Sequence, residues 1–348
     1  MAKYTSIGGQ ALIEGIMMKS PEKTALAVRT PDKSIDITYL SQKGVRQRYR
    51  ILRLPLLRGV AGFVESMIQG YKAMMLSADK SGFADIEEET PEKEDASEPQ
   101  SEEKKPEKGK KREEKKENGA LMSIVMVIAT VLGVALAVVL FMLLPRLVVS
   151  GLRLLFGTDF SPVVRSSIEQ LLKLAIFVCY VWLVSYMKDI KRVFMYHGAE
   201  HKTIFCYEKG LELTVENVRI QRRFHPRCGT SFMILMILIS IIFSTVVQMI
   251  FPSVYNVAWL WVVIKILLIP LVCGAGFEVL KICGKYDNLA TRIISAPGLW
   301  LQRITTKEPE DDMIEVAIAA LKACEPAVPD VDRSIDKKEV PEEKNDDI

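Results

Sequence analysis

The chain has only three histidines, His197, His201 and His225, and all of them fall within 29 residues. His197 and His201 belong to an H-x-x-E-H sequence, the inverted form of the zinc-peptidase signature, in which Glu200 is the carboxylate. Residues four apart lie on one face of a helix, so both imidazoles can bind one zinc ion. Glu200 flanks that face, where a carboxylate can take a proton from water that the metal makes acidic. The pattern predicts a divalent-metal site, most simply zinc, with Glu200 as the catalytic base.

A zinc site needs at least a third ligand, and we select His225 or Cys228 of the sequence His-Pro-Arg-Cys-Gly. Both come directly before the long uncharged run that is predicted to be the third membrane span. The chain therefore returns there to the same depth at the membrane surface as His197 and His201. Inverted zinc peptidases use a downstream acidic residue as the third ligand. The alternatives to His225 and Cys228 are therefore Glu208, Glu212 and Glu216. A closed set of His201, Cys206, His225 and Cys228 would instead be structural, because it leaves no open position for water.

Three further residues are candidates on weaker patterns. Glu14 ends a glycine-rich stretch that lacks G-x-G-x-x-G spacing, which favours a tight turn before a β-region over nucleotide binding, and Glu14 is a further candidate carboxylate. Lys265 lies inside an apolar run, where a charge is costly in lipid and is a functional candidate by default. Snorkelling of Lys265, or pairing with Glu169, is the alternative. Glu278 is a further candidate ligand at the end of the same run.

Charge is segregated along the 348 residues. Lys plus Arg number 46 and Asp plus Glu 43, a formal net charge of +3, which gives no field that would indicate nucleic-acid binding. Residues 86–118 hold 13 acidic and 9 basic side chains and predict a disordered linker, and residues 326–348 predict a disordered tail. Residues 120–144 hold no charge, which excludes a purely soluble protein. The six cysteines are scattered, so no disulfide framework is expected.

The apolar runs predict four transmembrane helices, at 120–144, 168–187, 230–250 and 257–277, because a bilayer core needs about 20 apolar residues as a helix. Nine Lys and Arg residues lie between the second and third spans, three between the first and second, and none between the third and fourth. Positive residues concentrate in cytoplasmic loops. Both termini and the 188–229 loop are therefore predicted to be cytoplasmic.

The remaining segments complete the predicted architecture, an α-helical multi-pass membrane protein with a small cytoplasmic α+β N-terminal domain. That domain, residues 1–85, carries a predicted hairpin at 24–29 and 34–40 and an amphipathic helix at 59–79. The membrane domain spans 119–280, with an interfacial stretch at 147–156 on the outer face. The second span is expected to continue past Met187 as one helix, which places the histidine pair just below the membrane. A cytoplasmic helical segment, 281–325, carries helices at 286–303 and 313–324.

Four motifs, in this order, resemble the YqhQ-like family of bacterial membrane proteins, domain of unknown function 1385. The motifs are Gly8-Gly9-Gln10-Ala11-Leu12-Ile13-Glu14-Gly15-Ile16-Met17-Met18, Leu57-Arg58-Gly59-Val60, Tyr196-His197-Gly198-Ala199-Glu200-His201-Lys202 and His225-Pro226-Arg227-Cys228-Gly229-Thr230-Ser231. The resemblance covers residues 5 to 305 except the linker. It implies a metal-dependent enzyme of the bacterial cytoplasmic membrane and a role for the N-terminal motif.

Three hypotheses of function follow. The first is a zinc-dependent hydrolase that acts on a membrane peptide or a lipid-linked group. The second is a non-enzymatic interaction or assembly factor, in which the His/Cys cluster is a structural metal site or plain packing. The third is a transporter that uses Lys265 and Glu278 and would need to oligomerise. The expected partners are the lipid bilayer, one of those substrates or a protein, and further copies of the chain, but no nucleic acid.

Overall fold

The computed structural model describes residues 7–41, 49–54, 57–83, 128, 130–157, 160–226, 228–253, 257–286 and 288–325. The linker predicted at 86–118 and the tail predicted at 326–348 lie outside these described residues. The part that is described is mostly helical and has one four-stranded sheet near its N-terminus.

The sheet is antiparallel, with its strands in chain order. The predicted hairpin at 24–29 and 34–40 is confirmed as the last two strands. The glycine-rich stretch forms a first hairpin that the sequence analysis missed, closed by a two-residue turn in which Glu14 has φ 49°. The strands are β1 (Gly8–Leu12), β2 (Gly15–Lys19), β3 (Thr24–Arg29) and β4 (Ile35–Leu40).

Nine helices, counted in the described residues, follow the sheet. A short 3₁₀ turn at Arg50–Arg53 precedes the first of them. The helices are α1 (Leu57–Lys80), α2 (Thr130–Phe156), α3 (Pro162–Val184), α4 (Lys188–Glu208), α5 (Val215–Arg219), α6 (Gly229–Ile250), α7 (Ala258–Lys285), α8 (Leu289–Thr305) and α9 (Asp311–Cys324). The predictions of α1, of α8 and of α9 are confirmed to within a few residues.

Helices α2, α3, α6 and α7 are long and apolar enough to cross a membrane. The predicted interfacial stretch, 147–156, continues α2 as one helix. A π-helical turn at Val139–Leu143 ends two residues before Pro145, which lacks the backbone N–H that an α-helix needs. Such a turn lets the helix pass the proline without ending there.

The predicted continuation of the second span into the histidine motif is wrong. Helix α3 ends at Val184 and α4 begins at Lys188, because Met187 adopts extended backbone (φ −64°, ψ 134°). The Ser185 hydroxyl donates to the Trp182 carbonyl at 2.6 Å and helps to end α3. The break lets α4 turn away from the apolar helix and pack against the sheet.

The main core lies between one face of the sheet, α4 and α9. Helix α9 carries apolar residues at helical spacing, and Met313, Ala317 and Leu321 are fully buried against β2 and β3. Acids in its first turn and Lys322 in its last suit the helix dipole. The polar helix α4 is thereby enclosed between β1 and α9.

The segment 306–310, which joins α8 to α9 and which we term the strap, crosses α4 at Gly198. The Lys307 N–H donates to the Phe194 carbonyl at 2.9 Å. A Cβ atom at Gly198 would lie 2.0 Å from the Lys307 carbonyl oxygen, a backbone atom that cannot move by itself. The glycine of H-x-x-E-H is therefore required by packing, not by a turn.

Replacing Gly198 by alanine is expected to destabilise the protein by about 1–3 kcal/mol, the usual cost of overpacking. Thermal unfolding of the purified protein measures the change as a lower Tm. Gly151→Ala is the matched control, because nothing lies within 4 Å of the added methyl in α2 and alanine favours a helix. Equal unfolding temperatures for the two variants would contradict the close approach of the strap.

Candidate metal centre

Helix α4 holds the first motif in a mostly buried environment. None of its residues from 188 to 195 is buried, whereas most residues from Tyr196 to Glu208 are buried by β1, α9 and the strap. His201 is 1% exposed and Glu200 is 5% exposed. Burial of ionisable groups in such a helix costs free energy unless they are bonded or bind a ligand.

Three ligand atoms converge at this helix. One ring nitrogen of His197, one of His201 and the Cys228 sulfur all lie within 4.8 Å of one another. His197 Nε2 is 3.1 Å from Cys228 Sγ, and the two imidazole rings are 4.4 Å apart, as expected for residues one helical turn apart. Cys228 is the N-cap of α6, and this position brings its sulfur back to α4. The group mixes imidazole and thiolate, the ligands that zinc prefers.

Both histidines are oriented through their second ring nitrogen. His197 Nδ1 lies 2.9 Å from the Thr305 carbonyl oxygen, and His201 Nδ1 contacts the Arg223 carbonyl oxygen. Each Nδ1 must donate its proton to that carbonyl, which leaves the Nε2 lone pair for the cluster. His201 Nε2 is buried and accepts no hydrogen bond from the described residues. Histidines that bind metals are commonly fixed in this way.

The ionisation of two members also suits a metal. Burial lowers the pKa of His201 below its usual value, so the ring is neutral at pH 7. Burial opposes ionisation of the Cys228 thiol, but His201 in its charged form and hydrogen bonds from Thr230 outweigh it and leave the pKa of Cys228 below its usual value. Neutral imidazole and thiolate are the forms that bind metal ions.

Glu200 lies beside the cluster and beneath β1. Its carboxylate accepts a hydrogen bond from the Gly9 N–H, and its Oε2 atom is buried with no hydrogen-bond partner among the described residues. A Cβ atom at Gly9 would be 2.8 Å from the Glu200 carboxyl carbon, so any other residue there would require the Glu200 carboxylate to shift. Burial, opposed by the charge of His197, raises the pKa of Glu200 to about 8.

His225, one of the two residues selected as the third ligand, lies outside the group of three. Its ring is 5.7 Å from that of His201 and packs on Phe205, and its Nε2 is 3.7 Å from a Glu208 oxygen. Gln302 bonds both the backbone N–H and the carbonyl of His225. These contacts fix the chain that carries Cys228.

The structure places the weaker candidates away from the cluster. Glu14 accepts two hydrogen bonds from Arg192, at 2.5 and 2.6 Å, and one from Tyr196. Glu278 forms the same two-pronged pair with Arg58, which joins α7 to α1. Both carboxylates are therefore committed to arginines that link separate elements of the fold.

Cys206 and Lys265 also have other surroundings. Cys206 belongs to the main core, where its thiol is 3.5 Å from the Glu212 carbonyl oxygen and burial raises its pKa. The closed four-residue set of the structural alternative is therefore not assembled. The Lys265 ammonium lies 5.3 Å from the centre of the Trp261 ring, within α7.

Sequence reasoning missed the groups that orient the site. The carbonyls of Thr305 and Arg223 are backbone atoms, which no residue type reveals. The role of Gly9 had one available signal, because a glycine pair on a strand often marks a close backbone approach.

Comparison with known proteins gives a family and one relative. A family model described as a protein of unknown function, DUF1385, matches residues 54–327. A protein of Bacillus subtilis (strain 168), the uncharacterized protein YqhQ, is 36% identical over 312 residues, which cover 89% of each chain. No solved structure matches. The family resemblance drawn from the four motifs is confirmed.

Glu14 and Glu278 each bond to an arginine, so we expect both carboxylates to stabilise the fold and not to bind the metal. Glu14→Gln and Glu278→Gln are each expected to lower Tm by a few degrees, because each removes a charge from a two-pronged pair, and to leave the metal content of the purified protein unchanged. Elemental analysis and thermal unfolding of the same preparations measure both. Loss of metal from either variant would identify that carboxylate as a ligand and contradict the placement described above.

Proposed function

The chain belongs to the DUF1385 family of proteins of unknown function, and from its site we propose that it is a zinc-dependent hydrolase of the bacterial cytoplasmic membrane. The observation that carries the proposal is the convergence of His197, His201 and Cys228 beside the buried carboxylate of Glu200. The substrate is a membrane peptide or a lipid-linked group.

The location follows from the order of the helices. If all four apolar helices cross the membrane, the sheet, α4, α8 and α9 share one side of it. The packing of α4 and α9 on the sheet, and of α1 on α7, agrees with that arrangement. Cys228 caps α6, one of the four apolar helices, so the site would lie where that helix leaves the bilayer. The Lys and Arg residues of these elements favour the cytoplasmic side.

The donor set fits a catalytic zinc ion. His197, His201 and Cys228 would hold it, and the unpartnered Nε2 of His201 is the observation that calls for a ligand. Three protein ligands are typical of catalytic zinc sites, whereas structural sites have four. Bound zinc would supply a Lewis acid that polarises a substrate oxygen and makes water more acidic.

Glu200 performs the proton transfer in this proposal. The Gly9 N–H holds the carboxyl group in place, and in the ionised form, which its pKa of about 8 makes the main form above that pH, Oε2 can take a proton from water and return it to the leaving group. The Thr305 and Arg223 carbonyls keep both imidazoles in the tautomer that turns Nε2 toward the cluster. Strand β1 and the strap exclude bulk water from these groups.

One observation favours the second function, a non-enzymatic interaction or assembly factor. Glu200, His201 and Cys228 are all less than 9% exposed, and a buried site suits a metal that stabilises the fold. In that case the 188–229 loop depends on the metal for its structure and Glu200 has no chemical role. Substrate access in the enzyme instead requires β1 to move away from Glu200.

The metal is tested by matched pairs of variants. Wild type, Cys206→Ser, His225→Gln and Glu200→Gln are expected to retain about one zinc ion per chain after purification without chelators. Cys228→Ser and His201→Gln are expected to lose it, because each removes one of three ligand atoms. Elemental analysis of detergent-purified protein gives the ratio. Equal zinc content in the two cysteine variants, or none in wild type, would refute the site.

The reaction is tested with the full-length protein in liposomes. Quenched fluorescent peptides and a total bacterial lipid extract are the probes, and mass spectrometry detects the cleaved products. We expect zinc-dependent cleavage by wild type and a loss of about 10²-fold or more in Glu200→Gln, the usual range for a general base. Cleavage that Glu200→Gln leaves intact would refute the catalytic role. Metal binding without cleavage by any preparation would favour the structural function.

A further inference from the structure

Helix α1 covers one face of the sheet, whereas α9 and α4 cover the other. Alternate residues of β3 belong to the two cores: Ala25 and Ala27 pack with α9, and Leu26 and Val28 pack with Ala73 of α1. The inner face of α1 is formed mainly by small residues, which allow the helix to lie close to its neighbours. They are Gly59, Gly62, Gly70, Ala73 and Ser77.

The outer faces of α1 and α9 differ in polarity. The exposed residues of α9 are Asp311, Glu315 and Lys322, as expected for a helix whose outer face meets water. Helix α1 exposes Ser66, Lys72 and Asp79, but it also exposes six large apolar side chains, each between 39% and 68% exposed. We term these six residues the outer stripe: Leu57, Val64, Met67, Ile68, Tyr71 and Met75.

The outer stripe is one continuous surface. Its members follow one another at intervals of three, four and seven residues, so they share one side of the helix, opposite the small residues of the inner face. An apolar surface along five turns of a helix marks a contact with an apolar partner, because single exposed apolar residues are ordinary but a contiguous patch is not.

The start of α1 is fixed against α7, one of the four apolar helices. A Cβ atom at Gly59 would lie 2.8 Å from Phe277 Cβ and 3.1 Å from Gly274 Cα, so the two helices are in close contact there. Arg58, the preceding residue, forms its two-pronged pair with Glu278. Small residues at such a crossing are typical of helices that pack in membranes.

These contacts determine the depth of α1. The residues of α7 that it touches, 274–278, come five to nine residues before the apolar stretch ends at Cys283, a distance of about 8–14 Å along the helix. The Phe63 ring is 5.8 Å from the ring of Phe232, which lies in the first turn of α6. If α6 and α7 cross the membrane, the first two turns of α1 therefore lie at the depth of the lipid headgroups and the upper acyl chains.

The segment that leads into α1 has the same character. Ile51 and Leu54 are both more than half exposed. From residue 37 to residue 64 the sequence has no acidic residue and six basic ones: Lys43, Arg46, Arg48, Arg50, Arg53 and Arg58. Exposed apolar residues beside basic ones are typical of helices that lie in a membrane surface.

We propose that the outer stripe of α1 lies in the interfacial layer of the bilayer, where lipid acyl chains cover it. The bilayer fits better than a second copy of the chain, because the stripe begins at Leu57, beside the contact with α7, and so continues the surface of an apolar helix. The inference rests on the proposed membrane location, but it involves neither the zinc site nor hydrolysis.

Photocrosslinking of the full-length protein in liposomes of phosphatidylethanolamine and phosphatidylglycerol tests the proposal. The photoreactive residue p-benzoylphenylalanine replaces Tyr71 or Met67, and mass spectrometry detects lipid attached to the protein. We expect lipid adducts at both positions to be at least about tenfold more abundant than at Lys322, the matched control on the outer face of α9. Thermal unfolding verifies that each replacement leaves Tm unchanged.

A reporter in place of Leu267, which is 71% exposed in the middle of α7, tests the membrane location separately. Lipid adducts at Leu267 but not at Tyr71 and Met67 would overturn the proposal and leave the membrane location intact. Crosslinks that join two chains through Tyr71 would overturn it in favour of a dimer formed through α1. No adduct at Leu267 would contradict the membrane location and, with it, the interfacial position of α1. Adducts at all three positions support the proposal whether or not the protein cleaves a substrate.

Discussion

The approach of the strap to Gly198 is the constraint on which the candidate metal centre depends. The Lys307 carbonyl occupies the space that a Cβ atom would need, and the Lys307 N–H bonds to Phe194 one turn earlier. This fixes the end of α8 against α4 and brings the Thr305 carbonyl to His197 Nδ1. Glu308, the next residue of the strap, pairs with Lys202 and Arg223 and holds the far side of the site. A single glycine thus sets both the packing of α4 and the orientation of its first histidine.

The polar groups buried around α4 divide into those with partners and those without. Lys202 bonds to Glu308 and to the Arg219 carbonyl, and Thr203 bonds within its own helix. Glu200 and His201 differ, because each keeps a buried atom that forms no hydrogen bond with the described residues. An unsatisfied buried polar atom costs about 1–3 kcal/mol, and such costs concentrate at functional sites. Plain packing leaves this cost without compensation, whereas a metal ion bound at His201 Nε2 compensates part of it.

The sequence allowed the helices and the first motif to be predicted because both depend on local spacing. Runs of apolar residues give α6 and α7, and the spacing of His197 and His201 puts their rings together on one helical face. The choice between His225 and Cys228 was beyond the sequence, since both precede α6 by only a few residues. Tertiary packing separates the two residues: Gln302 and Glu208 hold His225 aside, and the N-cap position brings Cys228 to His197 and His201.

The candidate carboxylates Glu14 and Glu278 show a different limit of sequence reasoning. Each is bonded to an arginine 178 or 220 residues away in the chain. Charge and position in the sequence allow a carboxylate to be either a metal ligand or an ion-pair partner. Only the tertiary structure shows which arginine lies beside it. The break between α3 and α4 was missed for a related reason, because Ser185 and Met187 are both compatible with a continuing helix.

The exposure of α2 limits what can hold this helix in the bundle. Only 6% of the most apolar 18-residue stretch of α2 is buried, the smallest share among the four apolar helices. In a bilayer, apolar contact with a neighbouring helix is no better than contact with lipid, so packing and polar bonds must hold helices together.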